Sequence, residues 1–271
     1  MDGRDLPIGI FDSGLGGLTA LAELNRLMPD EKIIYFGDNA RIPYGTKSVE
    51  VIKKFALQDT RFLLSRGVKA ILVACGTVSS NCLPEVRAEA GIPVIGVIEP
   101  ASVKAAAIAG KDGCVAVLGT GATVKSGAYE RELESLGVRK IVSKACPMFV
   151  PLVENGYVST DDTAANSIAA EYLAPVAEHA PKAAILGCTH YPLLDGVIKK
   201  YLPGTETVNS GSEAAKSVCE ELKRLDLTSG SKNGGITFYT SDDAELFRKN
   251  AAFFLGREVT EEVIHAEIEN F

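Results

Sequence analysis

AILVACGT at Ala70–Thr77 and AILGCTH at Ala184–His190 say nearly the same thing: each is an apolar run that ends on a cysteine close to a threonine. A run this short, closing on small polar groups, is the signature of a strand buried on both faces of a parallel sheet. Each thiol then stands at the carboxyl end of its strand. In open α/β sheets that edge, with the loop into the next helix, is where ligands bind. A single cysteine in such a run reads as a small buried hydrophobe. Two in duplicated context point to a pair facing one substrate.

The totals fit a soluble α/β protein. The 271 residues exceed the commonest domain size and allow one large or two modest domains, and a hydrophobic content of 46% supports a packed core. No apolar segment approaches the roughly 20 residues of a membrane span. The opening MDGRDLPIGIFD lacks a basic region followed by a long apolar run, so a cytoplasmic protein is expected. A net charge of −7 argues against a nucleic-acid surface. It leaves room for a small anionic substrate, because backbone amides and helix ends bind carboxylates locally. The six cysteines (Cys75, Cys82, Cys114, Cys146, Cys188 and Cys219) are spread without a CxxC pair, which predicts reduced thiols.

Around the two cysteine strands the pattern alternates strand and helix. Strands are expected at Ile8–Phe11, Lys32–Phe36, Pro93–Val97, Cys114–Leu118, Lys140–Ser143, Glu206–Asn209 and Ile236–Thr240. Helices are expected over about 18–27, 48–66, 79–90, 122–136, 161–178, 191–201, 212–225 and 242–255. Such alternation means parallel sheets with crossover helices. The cysteines lie 113 residues apart, about one domain length. Two similar α/β lobes follow, each giving one thiol to the cleft between them. The first is expected to hold residues 1–99 and 210–271 with Cys75, the second residues 100–209 with Cys188.

Several motifs narrow the chemistry. DSGLGG at Asp12–Gly17 follows a strand and opens a helix, and Asp38 ends the next strand where a ribose-binding acid would sit, but the third glycine of a dinucleotide fingerprint is replaced by Thr19. What remains is a glycine-rich turn whose Asp12 and Ser13 read either as ligand contacts or as N-caps. His190, two residues after Cys188, lacks the local partners of a zinc site and is read as a group that tunes the thiol or shuttles its proton. Lys69 and Lys182 begin strands, far from where an aldimine lysine would act. The other four cysteines are assigned to packing, and His179 and His265 to the surface.

Two opposed thiols have three uses. A redox pair is normally CxxC, and a single nucleophile activated by His190 leaves the second cysteine idle. The third use employs both: one thiolate removes a proton from a carbon centre while the other, as a thiol, returns one to the opposite face. That inverts a stereocentre without a cofactor. Cysteine suits the task because its ordinary pKa of about 8.5 is readily tuned toward neutrality. Backbone amides at the helix starts after Asp12, Cys75 and Cys188 are available to steady the carbanion and the substrate carboxylate.

FDSGLGGL (Phe11–Leu18), GDNARIPYG (Gly37–Gly45), ACGT (Ala74–Thr77), GTGAT (Gly119–Thr123), PLVE (Pro151–Glu154) and GCTHYPLL (Gly187–Leu194), taken together, resemble the bacterial glutamate racemases of the cofactor-independent aspartate and glutamate racemase superfamily. The resemblance runs through nearly the whole chain. It implies two pseudo-symmetric lobes, interconversion of L- and D-glutamate for peptidoglycan synthesis, no cofactor, and a homodimer. It places the catalytic cysteines at Cys75 and Cys188, assisted by Asp12 and His190, with Glu154 as a partner near His190. It puts Asp12, Ser13, Tyr44, Gly45, Gly76, Thr77, Thr189 and His190 on or beside the substrate. One position departs: the family commonly reads ACNT, and Gly76 lacks the amide side chain expected there. A racemase of aspartate, a hydantoin or a related acid, and a non-catalytic amino-acid-binding relative, are the alternatives.

Overall fold

The structure, a computed structural model, describes residues 3–271. Met1 and Asp2, at the head of the first lobe expected from sequence, lie outside the described residues. Among the described residues, ten strands form two sheets. β1 (Ile8–Asp12), β2 (Lys32–Gly37), β3 (Ala70–Val73), β4 (Val94–Gly96), β9 (Gly235–Thr240) and β10 (Val263–His265) form a six-stranded sheet in the order β10-β9-β2-β1-β3-β4. β5 (Cys114–Gly119), β6 (Lys140–Ala145), β7 (Ala183–Leu186) and β8 (Glu206–Asn209) form a four-stranded sheet in the order β6-β5-β7-β8. Every pairing in both sheets is parallel. The two cysteine strands, β3 and β7, are buried throughout, as continuous apolar runs in a parallel sheet should be.

The crossovers between parallel strands are helical: α1 (Leu18–Leu27), α2 (Val49–Ser65), α3 (Gly76–Asn81), α4 (Leu83–Ala90), α5 (Ile98–Ala109), α6 (Gly121–Ser126), α7 (Ala128–Ser135), α8 (Phe149–Glu154), α9 (Thr163–Ala177), α10 (Asp195–Tyr201), α11 (Ser210–Arg224) and α12 (Ala244–Leu255). Ser48 caps α2 by accepting from the Val51 N–H at 3.4 Å. Asp162 caps α9 and Asn209 caps α11 in the same manner. Among the described residues, no helix is long and apolar enough to cross a membrane.

The differences from expectation have local causes. The helix expected over 122–136 is two helices, because Gly127 adopts φ +64° and ends the first. The helix expected over 79–90 begins three residues earlier and breaks at Cys82, with Pro84 in the opening turn of α4. Tyr191–Leu194 is a 3₁₀ turn leading into α10, where one α-helix was expected. Three elements were not foreseen. α5 is alanine-rich and lies where a change of lobe was expected. α8 is an apolar segment interrupted by Pro151, and β10 is only three residues long.

Candidate active site

The functional candidates converge because the strands that carry them are parallel. β1 ends in Asp12 and Ser13, β2 in the loop 38–45, β3 in Cys75, β5 in Thr120, and β7 in Cys188, Thr189 and His190. All these carboxyl ends open on one cavity of about 260 Å³ between the sheets. Its wall includes Ser13, Tyr44, Gly45, Cys75, Gly76, Thr77, Cys188, Thr189, His190 and Glu154, from both sheets. That volume lies just below the roughly 300–1,000 Å³ of drug-sized sites and suits a small metabolite.

Asp12 is placed differently from the other expected contacts. It is fully buried and does not line the cavity; it lies beneath the wall, where its Oδ2 accepts from the Gly14 N–H at 3.1 Å and its Oδ1 accepts from the Thr189 hydroxyl at 3.5 Å. Burial raises its carboxyl above the ordinary value, against the positive charge of His190 and the N–H groups of Gly17, Gly14 and Ser13. From there it supports the wall from behind, beneath Thr189 and the Gly14 N–H.

The two thiols differ in their surroundings. Cys75 occupies the N-cap position of α3, and its sulfur lies 3.7 Å from Ser13 Oγ. Burial pushes the Cys75 thiol up to about 12, the Asp12 carboxylate adds to that, and the Val78 N–H and Ser13 oppose it. Near neutral pH this residue keeps its proton. Cys188 instead faces a histidine: its Sγ is 3.9 Å from His190 Nδ1, while His190 Nε2 is 3.2 Å from Glu154 Oε1. Burial alone would lower the imidazole, but hydrogen bonds with Cys188 and Glu154 outweigh it and raise His190 to about 10. Phe254 packs edge-on against the imidazole and fixes its plane.

This arrangement has a consequence for stability. A histidine raised from an unfolded value of about 6.5 to about 10 contributes stability that is complete below the lower value and lost as pH rises toward the upper one. His190→Asn is therefore expected to lower the melting temperature more at pH 6 than at pH 10. Thermal melts of both proteins across that range check it, and a pH-independent deficit would contradict the ion-pair description.

The lobes touch across the cavity. Thr77 and Thr120 hydroxyls meet at 3.1 Å, and the Thr19 hydroxyl donates to the Thr189 carbonyl at 3.3 Å. The Tyr44–Gly45 loop is anchored from behind by a buried cluster in which the Tyr44 hydroxyl donates to Asp38. Asp38, at the strand end where a ribose acid would sit, is thus occupied in holding this loop. Thr120 and the apolar lining (Ile42, Pro43, Pro147, Val150 and Pro151) were not singled out from sequence. GTGAT ends β5 as ACGT ends β3, and the same strand-end rule finds Thr120. The apolar lining has no such signal. Lys69 pairs with Glu31 at 2.5 Å before the start of β3, remote from this site. Cys82, Cys114, Cys146 and Cys219 are buried outside the cavity wall.

A profile of the Asp/Glu/Hydantoin racemase family matches residues 17–218. This chain belongs to that family. The racemase-family chain is 45% identical to glutamate racemase of Thermus thermophilus over 245 residues, covering 89% of this chain and 90% of the relative. It is 42% identical to glutamate racemase of Geobacter metallireducens, covering 92% of each. Among solved structures, glutamate racemase of Francisella tularensis in complex with D-glutamate superimposes with a TM-score of 0.91 at 36% identity, covering 99% of this chain and all of the other. The racemase fold expected from the motifs, two parallel sheets flanked by helices, is the fold observed.

Proposed function

We propose that this chain interconverts L- and D-glutamate by moving the Cα proton between Cys75 and Cys188, with no cofactor, and that its D-glutamate serves peptidoglycan synthesis. The observation that carries the reading is the placement of two cysteines, at corresponding strand ends of two sheets, on the wall of one cavity. Relatives named glutamate racemase, similar over nine-tenths of the chain, support the choice of glutamate.

Cys75 enters the reaction as the proton donor, because burial and the Asp12 carboxylate hold its proton. His190, raised to about 10 by its contacts with Cys188 and Glu154, stands 3.9 Å from the Cys188 sulfur, on the side of the cavity from which that sulfur would accept the Cα proton. Cys188 then takes the Cα proton as a planar carbanion forms, and Cys75 gives its own proton to the opposite face. The sulfurs have exchanged protonation states, and the reverse direction runs from there. Ser13, Thr77, Thr189 and the Tyr44–Gly45 loop supply polar groups for the substrate carboxylates and ammonium. Closure of the lobes around it excludes water and strengthens those contacts.

Glutamate incubated with the purified protein in deuterated water, without added cofactor, is expected to acquire deuterium at Cα from either enantiomer, read by NMR, while its optical rotation decays. No exchange with either enantiomer ends this reading, and tight binding without exchange would favour a non-catalytic relative. Faster exchange of aspartate in the same assay would move the substrate, not the mechanism. We assign residues 1–99 and 210–271 to one lobe and 100–209 to the other, in keeping with the strand membership of the sheets. A cytoplasmic homodimer completes the proposal, and sedimentation of the purified protein tests the association.

A further inference from the structure

Gly76 opens α3 directly after Cys75, and Gly187 follows the last residue of β7, directly before Cys188. The two glycines meet across the cavity seam. A Cβ built on Gly76 would lie 2.2 Å from the carbonyl oxygen of Gly187, where real contacts stay beyond 3.0 Å. The obstructing atom is backbone, so no rotamer change relieves it. Gly76 has no positive φ, and its glycine is required by the neighbour rather than by its own conformation. The Gly187 N–H is tied to the Leu118 carbonyl at 2.8 Å, which holds that carbonyl's segment against the second sheet. Any side chain at 76 must therefore push either the first turn of α3 or the end of β7. Each of those carries a cysteine one residue away.

We propose that Gly76 determines how far the two lobes close, and thereby the spacing of the Cys75 and Cys188 sulfurs across the substrate. The inference rests on the racemase reading. Relief of the contact requires a shift approaching 1 Å, and a misplacement of that size costs on the order of 100-fold in a reaction that depends on alignment. An asparagine at this position is accordingly a poor fit to this cleft. Its larger side chain is expected to do more harm than alanine.

The experiment compares racemisation kinetics of the wild type, Gly76→Ala and Gly76→Asn, with thermal melts of all three. The expected result is a fall in kcat of about 10- to 100-fold for Gly76→Ala and more for Gly76→Asn. KM should change less than about threefold and the melts by only a few degrees, because Ala is a good helix former at a helical position. Either variant retaining kcat within about threefold overturns the proposal. A rise in KM at constant kcat also overturns it and makes Gly76 a binding position. Failure of Gly76→Ala to fold overturns it as well, because the contact would then hold the fold rather than set closure. An inactive wild type would instead remove the racemase reading.

Discussion

Cys75→Ala and Cys188→Ala are each expected to lower glutamate racemisation by about 10³-fold, since loss of a positioned acid or base removes roughly 10²–10⁴ in rate. The sharper expectation concerns exchange. A protein with one remaining sulfur still removes the Cα proton from the enantiomer that presents it to that sulfur, and returns solvent deuterium to the same face. Cys75→Ala should label one enantiomer without inverting it, and Cys188→Ala should label the other more slowly near neutral pH, because Cys75 holds its proton. Labelling of both enantiomers by one variant would contradict the division of faces. Both thiols are nearly buried, at 4% and 8% exposure, and removing one sulfur from either site leaves a small void. Melts of the variants should stay within a few degrees of the wild type, which separates lost chemistry from lost folding.

The strand-end cysteines were legible because a buried parallel strand writes its two-sided burial directly into four apolar residues, and the thiol follows at the position where ligands bind. Alternation of such runs with amphipathic stretches was enough for two sheets. Asp12 was legible by type and place but not by depth. The turn DSGLGG reads equally well as a ligand loop or a cap, and only packing under Thr189 puts its carboxylate behind the wall. Glu154 had no local signal, since its use depends on α8 bringing it 3.2 Å from a histidine that follows it by 36 residues. The contact that makes Gly76 informative lies wholly between lobes. Sequence shows that a side chain is missing there, and the Gly187 carbonyl shows why none fits.

Arg41→Ala is expected to destabilise the protein by about 3–5 kcal/mol, the range for breaking a buried ion pair by removing one partner. Arg41 is the cation of a buried cluster in the loop that ends at Tyr44–Gly45. Its Nε donates to Asp38 at 2.7 Å, one Nη to Asp59 at 2.9 Å and the other to Gln58 at 2.6 Å, while Phe55 lies 4.2 Å beneath the guanidinium. Asp38 and Asp59 are both fully buried, and Tyr44 hydrogen-bonds to each. Burial first, and then the Asp38 carboxylate, hold the Asp59 carboxyl well above the ordinary range, against the pull of Arg41. Removing the guanidinium leaves two buried carboxyls facing each other with no cation between them. A carboxyl whose folded pKa exceeds its unfolded one binds more protons in the folded state, so the folded state gains stability as pH falls through that window. The roughly 10 °C loss in melting temperature that this destabilisation implies should therefore shrink when the pH is lowered from 7.5 to 5.5. A deficit that is the same at both pH values would show that packing against Phe55, rather than charge, is what Arg41 supplies. Arg41→Lys keeps the charge but not the fork that reaches Asp38, Asp59 and Gln58 together, and should fall between the two. Because this cluster carries one wall of the cavity, the folded fraction of Arg41→Ala should also show a higher KM for glutamate, with Cys75 and Cys188 left in place.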